Sequence, residues 1–267
     1  LAPPAEKTRL IEFVGDSITV GYSASAEAST SSSWSTATED ATKTYSEYVA
    51  NAFGADYSVI AVSGRGIARN YGNTTERLIP LLYASLDDYN LEGVKYDFKR
   101  QADVIVINAG TNDSSGSVSG LTANEFKSTL KTFLLDVRAK NPNAEIIYAY
   151  GMMGAGFMAQ IKQVVEELRT AGDSHITFLK LDQCKGKELG IASHPTAEAY
   201  ISRGDALIDL IEELTGWKEG EIPETTQPPE TTEAPENTDV QTLPPENVTE
   251  ETPTVTEPVE EKKGCGS

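Results

Sequence analysis

The 267-residue chain is poor in several things that would have set its class at once. It has two cysteines, Cys184 and Cys265, too few and too far apart for a disulfide-stapled scaffold. It has 22 Lys and Arg against 41 Asp and Glu, a net charge of −19, so it lacks the basic excess that binding to nucleic acid requires. No apolar run approaches the roughly 18 residues of a membrane span. No cluster of residues has metal-ligand spacing, and neither a metal nor an organic cofactor is expected. Only two histidines are present, His175 and His194.

What is there is unevenly spread. Residues 218–267 carry 13 acids, three lysines, eight of the 13 prolines and no aromatic residue. Thr, Pro and Glu dominate this segment. It has too little apolar surface to offset the entropy of ordering, which predicts a disordered, extended spacer. Residues 1–217 then carry −9 and read as one globular domain.

Within that domain short apolar runs alternate with helical patterns. Leu10–Val14, Tyr57–Val62, Val104–Asn108, Ile146–Tyr150 and Ile176–Leu181 read as buried strands. Thr122 to Lys140 reads as a helix, with Thr122 and Glu125 as a capping box and Phe126, Leu130, Phe133, Leu134 and Val137 on one face. Phe157, Ile161, Val164, Val165 and Leu168 form a second such face. A last helix begins after His194, with Pro195 in its first turn and Tyr200, Ile201, Leu207, Leu210, Ile211 and Leu214 as its apolar residues. The alternation predicts an α/β fold, a parallel sheet covered on both faces.

Ligands of such sheets bind beyond the carboxyl ends of the strands. Gly15-Asp16-Ser17 follows the first strand and Ser63-Gly64-Arg65-Gly66 the second. Ala109-Gly110-Thr111-Asn112-Asp113 follows the third, and Ser193-His194-Pro195 precedes the last helix. Ser17 is placed as a nucleophile and needs a base within hydrogen-bond reach. His194 lies on this edge, whereas His175 precedes the fifth strand at the other end. Gly64 through its N–H and Asn112 through its amide could serve a developing oxyanion. Each segment alone is an ordinary turn; their joint order is what points to acyl transfer.

Ser17, Gly64, Asn112 and His194 resemble the four blocks of the SGNH (GDSL-type) hydrolases. The strings Ile11–Tyr22 and Ser63–Gly72 are similar to the first two blocks of carbohydrate esterase family 2, and the resemblance runs from about Arg9 to Trp217. It implies a three-layer α/β/α sandwich with a flavodoxin-like sheet. It also implies a secreted serine esterase that removes O-acetyl groups from plant polysaccharides such as xylan, mannan or glucomannan through an acetyl-serine intermediate. On that pattern Ser17 is the nucleophile and His194 the general base and acid. The N–H groups of Ser17 and Gly64 and the Asn112 amide form the oxyanion hole, and Tyr71 shapes the cleft. An acetylated polysaccharide or oligosaccharide is the expected partner, and the chain is expected to act as a monomer.

Three features depart from the pattern. Ile191 stands where many of these enzymes carry an Asp three residues before the histidine, so the imidazole needs another acceptor: a backbone carbonyl, Asp182 or Glu188. The β-sandwich domain that usually precedes the catalytic one has no counterpart before the first strand. Ser23 to Thr44 is a Ser/Thr/Ala-rich insertion holding Trp34, either a tucked aromatic on an exposed loop or a sugar platform.

The ends carry expectations of their own. The chain opens on Leu1, and Lys262–Ser267 resembles the start of the hydrophobic anchor of Gram-positive surface proteins. The reading is a piece of a larger bacterial protein, extracellular or held at the cell surface through the linker. Cys184 reads as a core thiol, and Met152-Met153 as core or cleft lining. Asn112-Asp113-Ser114 is formally a glycosylation sequon, but a glycan there would block the oxyanion donor. Two alternatives stand beside the esterase: an SGNH lipase or thioesterase, and a non-catalytic carbohydrate-binding or adhesion module.

Overall fold

The computed structural model describes residues 5–26, 33–87 and 89–221. Five strands form one parallel sheet: β1 (Leu10–Gly15), β2 (Asp56–Ala61), β3 (Val104–Asn108), β4 (Glu145–Tyr150) and β5 (Ile176–Lys180). Their order across the sheet is β2-β1-β3-β4-β5, the doubly wound order whose switch point lies between β1 and β3. Register pairs Gly15 with Ala61 on one side and with Asn108 on the other, so the loops after three strands leave from one level.

The helices are α1 (Tyr45–Ala52), the single-turn α2 (Ile79–Leu82), α3 (Ala123–Lys140), α4 (Met158–Thr170) and α5 (Ala197–Thr215). The alternation of side chains along each strand decides which face they cover. Leu10, Val14, Ile105, Ile107, Ile146 and Tyr148 pack against α3 and α4. Ile11, Phe13, Val104, Val106 and Ile147 pack against α1 and α5. This is a three-layer α/β/α sandwich.

Three local expectations differ. Thr122 caps α3, its Oγ1 accepting from Glu125 N at 3.1 Å, but the reciprocal half of the capping box is not made. The Glu125 carboxylate accepts instead from Arg69 Nη2 at 2.6 Å, a charge-assisted bond that outcompetes a neutral N–H. Pro195 lies outside the last helix: Thr196 is its N-cap, and Pro195 forms a β-bridge with Leu189. Ile201, one of the apolar residues of α5, is half exposed. The contacts of the domain also continue past Trp217, since Gly220 N donates to Ala52 O at 2.8 Å and Glu221 pairs with Arg9. The rest of the acidic segment, Cys265 included, lies outside the described residues.

Glu12 is a charge in the wrong medium. It sits mid-strand in β1, buried, its Oε1 without a hydrogen-bond partner. Burial raises its pKa above the ordinary carboxylate value, with Tyr83 and Tyr96 hydroxyls only partly opposing. A raised acid adds stability that is whole below the unfolded pKa and is lost as pH climbs through the folded one. Glu12→Gln should therefore unfold at increasingly higher urea than wild type as pH rises above the ordinary carboxylate range. A gap between the two urea midpoints that ignores pH would contradict this.

Candidate active site

The site is built on the turn after β1. Asp16 O accepts from Thr19 N and Val20 N, and Asp16 Oδ1 accepts from Ile18 N at 3.0 Å, tightening the chain around Ser17. Two helices anchor the turn: Tyr200 of α5 donates its hydroxyl to Ile18 O at 2.8 Å, and Tyr45 of α1 shares a 2.7 Å hydrogen bond with Thr19 Oγ1.

His194 arrives from the loop before α5. Its Nε2 lies 2.8 Å from Ser17 Oγ and its Nδ1 lies 3.2 Å from Ile191 O. A carbonyl can only accept, so Nδ1 carries the proton and Nε2 offers its lone pair to the serine hydroxyl. The acceptor is a peptide oxygen. Glu188 is occupied elsewhere: its carboxylate forms a two-pronged pair with Arg203, a buried side chain of α5. Arg203 Nε also donates to Asp182 O at 3.1 Å.

The backbone reaches this arrangement by strain. Ala192 (φ 50°) and Ser193 (φ 62°) are consecutive non-glycine residues in the left-handed region. Such residues cost about 1–3 kcal/mol each and persist only when neighbours over-determine them. Here Ser23 Oγ accepts from Ile191 N at 2.8 Å, and the Arg203–Glu188 pair ties the start of the loop to α5.

Burial pushes the His194 pKa below the ordinary imidazole value, and hydrogen bonds to the backbone of Ile191 and Ala192 only partly offset it. A lowered pKa leaves the ring neutral at pH 7, the state a base needs. The acid limb of kcat/KM should therefore fall below the ordinary imidazole range, activity being lost as His194 protonates. Asp182→Ala should cost less than about threefold in kcat, against the 10⁴-fold drop that follows loss of a required triad carboxylate. A large Asp182→Ala loss would show that the carboxylate acts.

Asn112 sits early in the loop after β3, buried. Its Nδ2 donates to Arg65 O at 2.7 Å and to Asp16 Oδ2 at 3.2 Å. Both amide hydrogens are thus engaged, and serving an oxyanion requires yielding the longer contact. Asp16 is fully enclosed, and burial together with the nearby Asp113 carboxylate raises its pKa to about 7.

Asp113 holds the second block. Its carboxylate accepts from the N–H groups of Ile67, Ala68 and Arg69 at 2.8, 2.6 and 2.8 Å. Gly66 makes this possible, because a Cβ there would lie 1.8 Å from Arg69 O and 2.6 Å from Asp113 Oδ2. Gly64 adopts φ +80°, which suits a residue without Cβ, and its carbonyl accepts from Tyr71 N at 2.9 Å.

These elements enclose an open cleft of about 490 Å³, lined among others by Ser17, Tyr22, Gly64, Tyr71, Asn112 and His194. Residues 13–200 match the GDSL-like lipase/acylhydrolase family. The chain belongs to this family.

Among relatives of this GDSL-like protein, a cellulase/esterase (CelE) of Acetivibrio thermocellus is 32% identical over 224 residues, 81% of this chain and 27% of the relative. An acetylxylan esterase / glucomannan deacetylase of Cellvibrio japonicus is 31% identical over 237 residues, 81% of this chain and 62% of the relative. A solved family two carbohydrate esterase from Clostridium thermocellum, in complex with cellohexaose, superposes with a TM-score of 0.75 at 31% identity. That match covers 81% of this chain and 67% of the other. The chain thus spans about a quarter of one curated relative and 62% of the other.

Of the site residues read from the sequence of the GDSL-like protein, Ser17, His194, Gly64, Asn112 and Tyr71 meet in the cleft. Tyr71 is 66% exposed, open to a ligand. Trp34 is not part of the cleft lining. It is partly exposed, stacks on Tyr22 with ring centroids 5.8 Å apart, and donates its indole N–H to Glu39. His175 lies at the opposite edge beside Glu145. Cys184 is a buried free thiol whose pKa burial raises to about 11. Met152 is core, while Met153 reaches the cleft.

Sequence reasoning missed three contributors: the Asp113 carboxylate, the Arg203–Glu188 pair and Tyr22. A signal existed for one of them. Arg203 falls on the apolar stripe of α5 with Tyr200, Leu207 and Ile211, where a charge must find a partner.

Proposed function

We propose that the protein is a serine carbohydrate esterase that removes O-acetyl groups from plant polysaccharides through an acetyl-Ser17 intermediate. The observation that carries this reading is the 2.8 Å contact between Ser17 Oγ and His194 Nε2 at the floor of an open cleft. His194 Nε2 takes the hydroxyl proton as Oγ bonds to the acetyl carbon. The oxyanion is met by the N–H groups of Ser17 and Gly64 and by Asn112 Nδ2. On collapse the C–O bond to the sugar breaks, and His194 returns its proton to the leaving alkoxide. Water, deprotonated by the same imidazole, then releases acetate and restores Ser17. The steps balance with no cofactor.

A polysaccharide substrate is supported by the relatives' named deacetylase and esterase activities and by the lining, where Ser63, Thr111, Ser114 and Ser115 offer hydroxyls around an exposed Tyr71. An extended chain needs such an open site, whereas a long acyl group needs a closed apolar channel. On composition alone, the same reading puts the enzyme outside the cell, held at a surface by the acidic segment 218–267. The test compares acetylated mannan and xylan, p-nitrophenyl acetate and a long-chain p-nitrophenyl ester. Acetate release from polysaccharide with preference for the short ester is the expected result. Preference for the long chain would make it a lipase, and binding without release a recognition module.

A further inference from the structure

Tyr22 has no part in the chemistry described so far, yet it makes a face-to-face contact with the reacting imidazole. Its ring centroid lies 4.2 Å from that of His194, the planes 27° apart. Trp34 stacks in turn on Tyr22, at 5.8 Å and 26°. Two stacked contacts, Trp34 on Tyr22 and Tyr22 on His194, therefore link the insertion to the base. Tyr22 is fixed at its root as well: its N–H donates to Ser17 O at 3.1 Å, so it belongs to the same turn as the nucleophile.

In its plane the imidazole meets Ser17 Oγ at 2.8 Å and Ile191 O at 3.2 Å. Neither carries a charge. Two charged groups of the packed elements are committed elsewhere: Asp16 Oδ1 and Oδ2 face Ile18 N and Asn112, and Glu188 faces Arg203. In-plane contacts leave a ring free to rock about the Nδ1–Nε2 line; a stacked face stops that. The negative face of an aromatic ring also attracts a cation, which is what the imidazole becomes when Ser17 gives up its proton.

We propose that Tyr22 is a positioning residue that holds the His194 plane and steadies its imidazolium, with Trp34 bracing Tyr22. The contribution of Trp34 is then to the base, not to the sugar. This rests on the esterase reading, and the experiment keeps the two separable.

Acetate release from p-nitrophenyl acetate is followed across pH for wild type, Ser17→Ala, Tyr22→Leu, Tyr22→Phe and Trp34→Ala. A small ester is used because it makes little use of the cleft walls. Tyr22→Leu is expected to lower kcat about tenfold or more with KM changed less than about threefold. Its acid limb moves to lower pH, because a cation that has lost its π face deprotonates more readily. Tyr22→Phe keeps the ring and restores both kcat and the limb. Trp34→Ala moves kcat in the same direction by a smaller factor. A wild type no faster than Ser17→Ala would refute the esterase reading itself. An active wild type with Tyr22→Leu unchanged in kcat, or slowed with an unmoved acid limb, would overturn the positioning role. A Tyr22→Phe variant as slow as Tyr22→Leu would overturn it too, by showing that the hydroxyl and not the ring matters.

Discussion

Ser17→Ala should lower acetate release by about 10⁴-fold or more, His194→Ala by a similar factor, and the double variant by no more than either alone. The two side chains act as one unit across their 2.8 Å contact, so removing the second takes away nothing the first has left. What remains in each variant is whatever the Gly64 and Asn112 donors do for water attack on a bound ester. Initial rates on p-nitrophenyl acetate measure this, with urea unfolding of each variant to show that the fold is kept. Losses that multiply in the double variant would mean the pair is not a nucleophile and its base. A Ser17→Ala variant close to wild type would move the nucleophile elsewhere.

Asp113→Ala should be the most damaging single change outside that pair, striking stability and rate together. One carboxylate accepts from three consecutive N–H groups, those of Ile67 and Ala68 being buried. Without it these donors have no acceptor in reach, at a cost of about 3 kcal/mol or more. The loop they belong to carries Gly64, so the donors on the cleft wall lose their position as well. Asp113→Asn should fall between, since one oxygen survives and an NH₂ now confronts an N–H. The urea midpoint and the acetate-release rate of both variants decide it. An Asp113→Ala protein that unfolds at the wild-type midpoint would show that the carboxylate does not hold this loop.

The centre of the sheet was legible because β1, β3 and β4 are buried on both faces. Unbroken apolar runs such as Val104–Asn108 have no competing reading, and β1 and β3 fall within a residue of expectation. Helix α1 escaped: it is eight residues long and follows a Ser/Thr-rich stretch that masks its cap, Thr44. The site was legible in part. Ser17, Gly64, Asn112 and His194 are placed by the ends of strands and the start of a helix, which pattern reveals. The acceptor behind His194 was open among a carbonyl, Asp182 and Glu188, and only the fold decides which of them faces Nδ1. No propensity would put Ala192 and Ser193 in left-handed conformations; Ser23, 168 residues from Ile191 in the chain, helps hold them there. Pro195 misled for the same reason, because the strained turn delays the helix by two residues. Trp34 misled differently: an exposed aromatic looks alike in sequence whether it meets a sugar or another ring.

The peptide oxygen of Ile191 has one more consequence. Every amino acid carries such an oxygen, so no point mutation at position 191 can delete the acceptor; only a change in the path of the chain can. The oxygen also has no charge for dissolved ions to shield, and nothing on that side of the ring gains or loses a proton. On the esterase reading, acetate release should therefore respond little to salt on that side of the ring and depend on whatever keeps the loop bent: warmth or denaturant that relaxes Ala192 and Ser193 is expected to lower the rate before the sheet beneath them melts.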